Sequence, residues 1–484
     1  MTTSVAPAPG SALARASSAD YWGWLSHVSA AAECTHPIRL SGHLDTVDTT
    51  TGAVTGTTST QSMPDGVIYT PCGNRRAAVC PACSAVYRRD TFHLVAAGMV
   101  GGKGVPESVA GHPTFFLTLT APSFGLVHSQ RPDEHGKPRV CRPRRRPAVC
   151  PHGVDLCCPQ THPDEARALG TPLCLDCYDH DATVVFNAMA GELWRRMMDA
   201  VAKQARRAGV RASFAKVAEM QARGVVHFHA LIRFDHLTPA PDGTPLPPPA
   251  WLEPDWMRAL LLEAAAATSF VTPGHLEEPG GWRIGWGRQV DLKTVRAGTV
   301  DAITDTAVAS YLAKYATKAT EAAGHSSARL TPDTVGDYTD EDNHVGRLIE
   351  SCWRLGRPGA QLDQDAPERI GFRRLRRWAH MLGFGGHFST KSRRYSTTLG
   401  RLRAARTEWR RAEYRARVAA LDEDQAGEDT TLLLASLTYV GIGWHTTGDA
   451  LLANTAAAKA REYAAVGREE LATAPLPQPA AAAA

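Results

Sequence analysis

Residues 225–235 read VVHFHALIRFD, and this stretch decides the fold that the sequence predicts for the middle of the chain. The run is apolar apart from two histidines and a charged end, which is typical of a buried β-strand. Alternate side chains of a strand point to opposite faces, so His227 and His229 share one face. A lone strand histidine is usually structural, but two neutral imidazoles one pleat apart can converge on a metal ion. The pair therefore indicates a metal site if other parts of the chain supply partners.

The segment before this strand predicts its neighbour in a sheet. SFAKVAEMQARG at 213–224 runs into the histidine strand through Arg223 and Gly224, which is typical of an antiparallel hairpin. Glu219 on that neighbouring strand is the candidate for a third metal ligand. Gln221, on the same face, is the alternative ligand. If Glu219 binds no metal, it is a solvent-facing glutamate of the strand.

Further elements complete an α+β pattern around the hairpin. TFFLTLT at 114–120 is β-branched and aromatic and predicts a central strand. Helices are predicted at 182–207, 255–268 and 304–324, and a further strand at 286–295.

The helix predicted at 304–324 carries two tyrosines and a lysine on one face. Tyr311, Tyr315 and Lys318 are spaced i, i+4 and i+7. Such spacing more often serves packing, yet the core-like positions form a separate stripe of Val308, Leu312 and Ala316. The tyrosine face is therefore available for another role.

Cysteine spacing predicts structural zinc. Ten of the eleven cysteines precede residue 178, and the N-terminus lacks the apolar core of an export signal, so zinc ligation is expected rather than disulfides. CPAC at 80–83 and CLDC at 174–177 are two C-x-x-C knuckles. Cys34 and Cys72 are the candidates to complete the first site. Several residues compete to complete the second, and we select Cys150 and Cys157 from a group that also contains Cys141, Cys158 and His152.

Positive charge is concentrated near the C-terminus although the net charge is only +4. Segment 372–411 holds twelve Arg or Lys residues and one acidic residue, with five aromatic residues between them. This mixture suits phosphate contacts and base stacking, whereas a solvated basic helix is the alternative. The predicted DNA-binding residues are Arg373, Arg374, Arg376, Arg377, Lys391, Arg393 and Arg394.

Three quoted stretches resemble a known order of motifs. FFLTLTAPS, HFHAL and YLAKYATK, in this order, are similar to the three motifs of the HUH endonucleases that start rolling-circle replication. The double tyrosine resembles the bacteriophage gene-A-type branch. CGNRRAAVCPAC before the motifs and HMLGFGGHFSTKSRRYSTTLG after them resemble RepSA-type replication initiators of actinobacterial plasmids. The likeness spans roughly residues 30–400.

The resemblance implies a fold and a chemistry. It implies an HUH-type antiparallel sheet with helices on one side, and a catalytic Mn²⁺ or Mg²⁺ held by His227, His229 and the candidate Glu219. Tyr315 would make the first nick and Tyr311 would act as the second nucleophile, with Lys318 and Lys314 stabilising charge. The products would be a 5′-phosphotyrosine and a 3′-hydroxyl primer, and the strands would be rejoined at termination.

Partners and domain bounds follow from the same resemblance. The expected partners are origin DNA, duplex and single-stranded, with a host helicase and polymerase. No segment is long and apolar enough to cross a membrane, and a cytoplasmic location is expected. The expected divisions are a disordered lead-in 1–20, a Cys-rich zinc module 21–110, an HUH domain 111–325 with a Cys-rich insertion 128–180, a basic helical DNA-binding region 326–465 and a disordered tail 466–484.

Other functions fit parts of the pattern. A two-tyrosine HUH transposase shares the zinc knuckles and the Y-x-x-x-Y helix. A conjugative relaxase fits less well, because relaxases usually carry a third histidine in the motif and an N-terminal tyrosine. A zinc-containing DNA-binding regulator without catalysis would make the histidine pair structural.

Overall fold

The computed structural model describes residues 10–130, 133, 135–146, 148–163, 166–295, 305–316, 329–419 and 431–473. These residues form two compact units. The larger unit lies within residues 88–406, and the smaller one combines residues up to 87 with residues from 407 onward. The predicted α+β class is confirmed, because both units combine helices with antiparallel sheets.

The described strands are β1 (Ile38–Asp48), β2 (Val54–Ser59), β3 (Ile68–Thr70), β4 (Thr114–Leu119), β5 (Val210–Met220), β6 (Val226–His236), β7 (Ser269–Val271), β8 (Arg283–Gly285), β9 (Val290–Val295), β10 (Ser389–Lys391) and β11 (Thr431–Ile442). The described helices are α1 (Ala12–Ala16), α2 (Tyr21–Val28), α3 (Pro81–Val100), α4 (His180–Arg207), α5 (Pro254–Ala267), α6 (Asp305–Ala316), α7 (His344–Leu355), α8 (Arg373–Arg377), α9 (Leu399–Ala419) and α10 (Thr447–Thr473).

A five-stranded antiparallel sheet organises the larger unit. Its strand order is β10-β5-β6-β4-β9, so the histidine strand β6 is central, as predicted. The predicted hairpin is β5–β6, and its register pairs Glu219 with His227. On the other side of β6, Thr118 of β4 pairs with His229.

The two faces of β6 have different roles. The even-numbered residues from Val226 to Phe234 join the main apolar core, into which α4 packs. Trp194 of α4, for example, meets Phe228 edge to face at 6.1 Å. The odd-numbered residues include both histidines and lie on the opposite face. Tyr311 of α6 contacts His229 on that face. Helices therefore pack on both faces of the sheet, whereas the sequence predicts helices on one side only.

Most predicted elements of this unit are confirmed within a few residues. The helices predicted at 182–207 and 255–268 are α4 and α5, and the strands predicted at 114–120 and 286–295 are β4 and β9. The tyrosine helix begins as predicted and is described to Ala316, while residues 317–328 lie outside the described part of the chain. Residues 128–180, the predicted Cys-rich insertion, connect β4 to α4 with isolated bridges but no named strand in their described part.

The smaller unit joins the two ends of the chain. Strand β1 pairs with β2, β3 and β11, and β11 comes from residues 431–442. Trp24 of α2 is fully buried in a separate apolar cluster with Tyr69 and Ala453. The predicted bounds 21–110 and 326–465 therefore differ from the structure, because a long-range strand pair and its core place both ends in one unit.

The predicted terminal segments also need correction. The sequence predicts a disordered lead-in at 1–20, but residues 12–16 form α1, and Arg15 pairs with Asp65 and Asp449. Helix α10 continues to Thr473, beyond the expected start of a disordered tail at 466. Residues 1–9 and 474–484 lie outside the described residues. The region 326–465 is not only helical, since it contributes β10 and β11.

No helix in the described residues combines the length and apolar character that crossing a bilayer requires.

Candidate functional site

His229 is held from both of its ring nitrogens. The ring is 4% exposed and stacks in parallel on Phe116 of β4 at 5.8 Å between centroids. Its Nδ1 lies 3.1 Å from Thr118 Oγ1. Its Nε2 lies 3.2 Å from Glu219 Oε2 and 3.1 Å from the hydroxyl of Tyr311. Strand β4 thus fixes the ring, while β5 and α6 bring a carboxylate and a phenol to one nitrogen.

His227 is buried beside His229, with 4.5 Å between the ring centroids. Burial, followed by the nearby His229 and Arg223, lowers the pKa of His227 to about 3, so the ring is neutral near pH 7. Gln221 Nε2 lies 3.0 Å from His227 Nδ1, and Gln221 Oε1 accepts from Arg223 Nε at 3.0 Å. His227 Nε2 is buried and has no hydrogen-bond partner among the described residues.

A divalent ion fits part of this group. Octahedral Mg²⁺ or Mn²⁺ with bonds of about 2.1 Å keeps neighbouring ligand atoms about 3 Å apart, which matches His229 Nε2 and Glu219 Oε2 at 3.2 Å. The unpartnered Nε2 of His227 is a second nitrogen donor on the same face. These three residues are not among the groups whose ligand atoms all lie within 4.8 Å of one another, so a side chain must move for one ion to bind all three. A metal bound to Nε2 of His227 also requires the ring proton to be on Nδ1. Gln221 can accept a hydrogen bond from that N–H only after its side-chain amide flips, so that Oε1 faces the ring.

The tyrosine helix is described in part. Tyr311 is half-buried and meets both His229 and Phe116 edge to face, with centroids 5.0 and 5.9 Å apart. Lys314 is exposed in the last turn of α6. Tyr315 belongs to the same helix, but its side chain lies outside the described residues, as does the whole of Lys318.

The first cysteine cluster contains the four residues predicted for it. The sulfurs of Cys34, Cys72, Cys80 and Cys83 lie within 4.8 Å of one another. Three of the six sulfur–sulfur distances are 3.7 Å for Cys72–Cys83, 3.7 Å for Cys34–Cys83 and 3.9 Å for Cys34–Cys80. A tetrahedral zinc ion with Zn–S bonds of about 2.3 Å requires sulfurs about 3.8 Å apart. The four thiols therefore fit a structural zinc site.

A second cluster in the insertion differs from the prediction. Cys150, Cys174 and Cys177 come together as expected, but His152 completes the group. His152 Nδ1 lies 3.2 Å from Cys177 Sγ and 3.7 Å from Cys174 Sγ. Cys157 was the predicted fourth ligand and lies outside this cluster, because its thiol donates to Asp155 Oδ2 at 3.1 Å.

A third cluster was not predicted as a site. His128, Cys141, Cys158 and His162 bring two nitrogens and two sulfurs within 4.8 Å of one another. His128 Nδ1 lies 3.2 Å from His162 Nε2, close to the ~3.3 Å that two nitrogens on tetrahedral zinc require. Cys158 and His162 are spaced C-x-x-x-H, and this spacing was the signal in the sequence that could have identified the site.

The basic residues predicted to bind DNA divide into two groups. Arg373, Arg377, Arg393 and Arg394 are exposed. The other three are partly buried and hold backbone carbonyls: Arg374 that of Arg369, Arg376 that of Trp353, and Lys391 those of Ser392 and Ser396.

Three aromatic residues of the basic segment are not available for base stacking. Phe384, Phe388 and Tyr395 are at most 3% exposed. Tyr395 donates its hydroxyl to the carbonyl of Val95 at 3.1 Å. These three aromatic residues of the basic segment thus belong to the protein core. Trp409 is 65% exposed and remains accessible.

Comparison with known proteins gives one consistent family. The model of the RepSA family, described as "Replication initiator protein, pSAM2", matches residues 20–458. A replication initiator protein of Streptomyces ambofaciens is 41% identical over 463 residues, which cover 93% of this chain and 92% of the relative. No solved structure matches significantly.

Proposed function

The chain belongs to the RepSA family of replication initiators, and from this premise we propose that it starts rolling-circle replication by nicking one strand of its origin with a tyrosine. The proposed fold is the HUH type, with the metal held on the central strand of the five-stranded sheet. The alternatives of a transposase or of a regulator without catalysis receive no support from the family match.

One observation carries the proposal. The hydroxyl of Tyr311 lies 3.1 Å from His229 Nε2, and Glu219 lies 3.2 Å from the same nitrogen. A phenol, an imidazole and a carboxylate from three elements of the chain thus meet at one point. This places the Tyr311 hydroxyl on the nitrogen that is proposed to bind the ion.

The proposed ligands of the catalytic ion are His227, His229 and Glu219, with Gln221 orienting His227. When bound, Mg²⁺ or Mn²⁺ supplies Lewis-acid polarisation of the scissile phosphate. The protein must supply the nucleophile, because a phenol with an ordinary pKa near 10 is only about one part in a thousand ionised at neutral pH. Lys314 and Lys318 are proposed to stabilise negative charge on the phenolate or on the phosphoryl oxygens.

The proposed step is an exchange of one ester for another. The phenol oxygen forms a bond to phosphorus, and the bond from phosphorus to the 3′ oxygen breaks. The phenol loses its proton and the 3′ oxygen gains one. The DNA then carries a 5′-phosphotyrosine and a free 3′-hydroxyl, which a host polymerase extends while a host helicase opens the duplex.

Two tyrosines allow a second transfer without hydrolysis. We propose that Tyr315 makes the first nick and that Tyr311 attacks the regenerated junction, which frees the first end for rejoining. The contact between Tyr311 and His229 supports a place for Tyr311 at the reacting phosphate. The order of the two attacks is the part that the experiment must decide.

A plasmid-nicking assay tests the proposal. The full chain is incubated with Mn²⁺ and a supercoiled plasmid that carries its own gene and flanking sequence. Wild type is expected to give nicked circles with protein attached at the 5′ end. Tyr315→Phe should reduce nicking by about 100-fold or more, whereas Tyr311→Phe should nick but fail to rejoin strands. The exposed Tyr463 gives a matched control, and Tyr463→Phe should behave as wild type.

Other outcomes have definite meanings. Full nicking by Tyr315→Phe together with loss in Tyr311→Phe reverses the two roles. Full nicking by the double variant contradicts the tyrosine mechanism, and plasmid that stays supercoiled with wild type under Mn²⁺ and Mg²⁺ contradicts the nuclease.

A further inference from the structure

A cavity of about 320 Å³ in the larger unit is lined by three arginines and by no carboxylate. Arg211 is the second residue of strand β5, Arg394 follows β10, and Arg401 lies in the first turn of α9. Arg211 is eight residues from Glu219 along the same strand, which corresponds to about 26 Å at ~3.3 Å per residue. The cavity is therefore separate from the histidine and tyrosine residues.

Two hydroxyls in the cavity are buried without a partner. Thr397 is 4% exposed, and its Oγ1 makes no hydrogen bond within the described part of the chain. Ser396 Oγ is in the same condition. Buried polar atoms in proteins are almost always paired, because an unpaired one has lost its hydrogen bonds to water without replacement. Both residues line the cavity, so a rotation of each side chain towards it would let a ligand with several acceptor oxygens satisfy the two hydroxyls.

The arginines of the cavity also favour a ligand that carries acceptor oxygens. The Nε of Arg211 is buried and unpartnered among the described residues, although its Nη1 donates to the carbonyl of Leu237 at 3.0 Å. The nearest carboxylate to Arg211 is Asp235, at 4.0 Å. Asp235 is already compensated, because Arg233 donates to both of its oxygens at 2.7 and 3.0 Å. The cavity therefore keeps a positive field, to which the N-terminus of α9 adds.

The cavity has a second kind of wall. Pro106, Pro239 and Pro245 line it together with the three arginines. Prolines present apolar carbon, against which the carbons of a sugar can pack, and a volume near 300 Å³ is at the lower end for small-molecule sites. An anion attached to a carbon skeleton fits both the charged side and the apolar side.

We propose that this cavity binds the phosphoryl group of a nucleotide, from either the backbone of DNA or a free nucleotide. Guanidinium groups and hydroxyls are the groups that proteins use for phosphate oxygens. This site depends only on the chemistry of the cavity and not on the proposed tyrosine nucleophile. Its failure would therefore leave the nicking proposal intact.

Binding measurements on the full chain test the proposal. Calorimetry with inorganic phosphate and with dAMP measures the free ligands, and fluorescence anisotropy with a labelled oligonucleotide, single-stranded and duplex, measures DNA. Divalent ions are left out so that no strand is cut. The double variant Arg394→Gln, Arg401→Gln should weaken binding about tenfold or more.

Two further variants keep the result interpretable. Thr397→Val removes only the unpartnered hydroxyl and keeps the shape of the side chain, so it should fold normally and still weaken binding several-fold. Arg206→Gln removes an exposed positive charge from α4, on the opposite face of the sheet, and should change affinity less than about twofold.

Competition identifies the source of the phosphoryl group. If the oligonucleotide displaces dAMP, or if the variants weaken only DNA binding and lower its salt slope by about 1, the cavity holds a backbone phosphate. If dAMP and DNA bind together, the cavity holds a free nucleotide. Equal affinity of both cavity variants and Arg206→Gln for every ligand would overturn the proposal.

Discussion

The two histidines of β6 are held very differently although they are one residue apart. His229 has a neighbour at each ring nitrogen, whereas His227 contacts Gln221 through Nδ1 and leaves Nε2 unpartnered within the described residues. An unpartnered buried nitrogen is unfavourable unless a ligand completes it. At this scale His227 offers a buried nitrogen donor that a ligand could complete, which is the basis of the proposed metal site.

Replacing both histidines by alanine tests whether the pair binds the proposed catalytic ion or a structural zinc ion. We expect His227→Ala with His229→Ala to lose Mn²⁺-dependent nicking by about 100-fold or more, because the ion loses both nitrogen ligands. The zinc content per chain should not change, since the cysteine clusters contain neither residue. Metal analysis of the purified variant provides the check, and a loss of zinc would assign the pair to a structural site.

Lys216 is a buried ionisable side chain outside the candidate site. It lies on the core face of β5, with Nζ 3.7 Å from the ring centroid of Phe228, and burial lowers its pKa to about 7. Between pH 7 and its ordinary value of 10.5, the unfolded chain binds more protons than the folded chain. The free energy of unfolding therefore rises with pH in that window, by at most roughly 5 kcal/mol.

Lys216→Met should remove this pH dependence. Methionine fills a similar volume without a charge, so the variant should be more stable than wild type near pH 6, and the difference should shrink towards pH 9. Urea midpoints of both proteins at these two pH values measure the effect. A constant difference across this range would mean that the lysine is protonated in the folded chain throughout.

At the scale of elements, the insertion between β4 and α4 has isolated bridges and clusters that could hold metal, and its described part contains no named strand. Two Cys and His clusters hold its described part, with nitrogens and sulfurs at separations that fit tetrahedral zinc. With the cluster around Cys34, the described residues offer three zinc sites per chain.

Single substitutions should change the zinc count in a defined way. Wild type is expected to hold three zinc ions per chain. His162→Ala should reduce the count to two, because tetrahedral sites in proteins rarely persist with three protein ligands unless they are catalytic. Cys157→Ser is the matched control and should retain all three, since Cys157 contacts Asp155 outside the clusters. A loss of zinc from the Cys157→Ser protein would show that Cys157 is a zinc ligand, as the sequence predicts.

Elements that depend on local pattern could be predicted, and those that depend on distant partners could not. The hairpin and the tyrosine helix follow from alternation and from i, i+4 spacing, which the sequence shows directly. Strand β11 has only one described partner, β1, from almost the other end of the chain, and an apolar run such as TLLLASLTYV does not reveal which strand it will join. His152 and Cys157 illustrate the same limit at the metal sites. Both were plausible ligands by spacing, and only the turn around Asp155 separates them.

At the scale of the whole molecule, the smaller unit requires both ends of the chain. Strand β1 pairs with β11 along eleven residues, from Ile38 with Ile442 to Asp48 with Thr431. Trp444 donates to the carbonyl of Cys34 at 2.9 Å, and Asn454 accepts from the backbone of Glu33 at 2.8 Å. The C-terminal segment thus supports the backbone that carries the first cysteine cluster.

Truncation after residue 406 should therefore affect the two units unequally. The larger unit keeps its whole sheet and both clusters of the insertion, because all of these lie within residues 88–406. The smaller unit loses β11 and α10, so β1 becomes exposed along one edge and Trp24 loses the contact of Ala453. We expect limited proteolysis to cut the truncated chain within residues 38–70 while the rest resists, and zinc to fall from three ions towards two. The full chain under the same protease is the control. Equal resistance of residues 38–70 in both proteins would show that the N-terminal segment folds without the C-terminal strand.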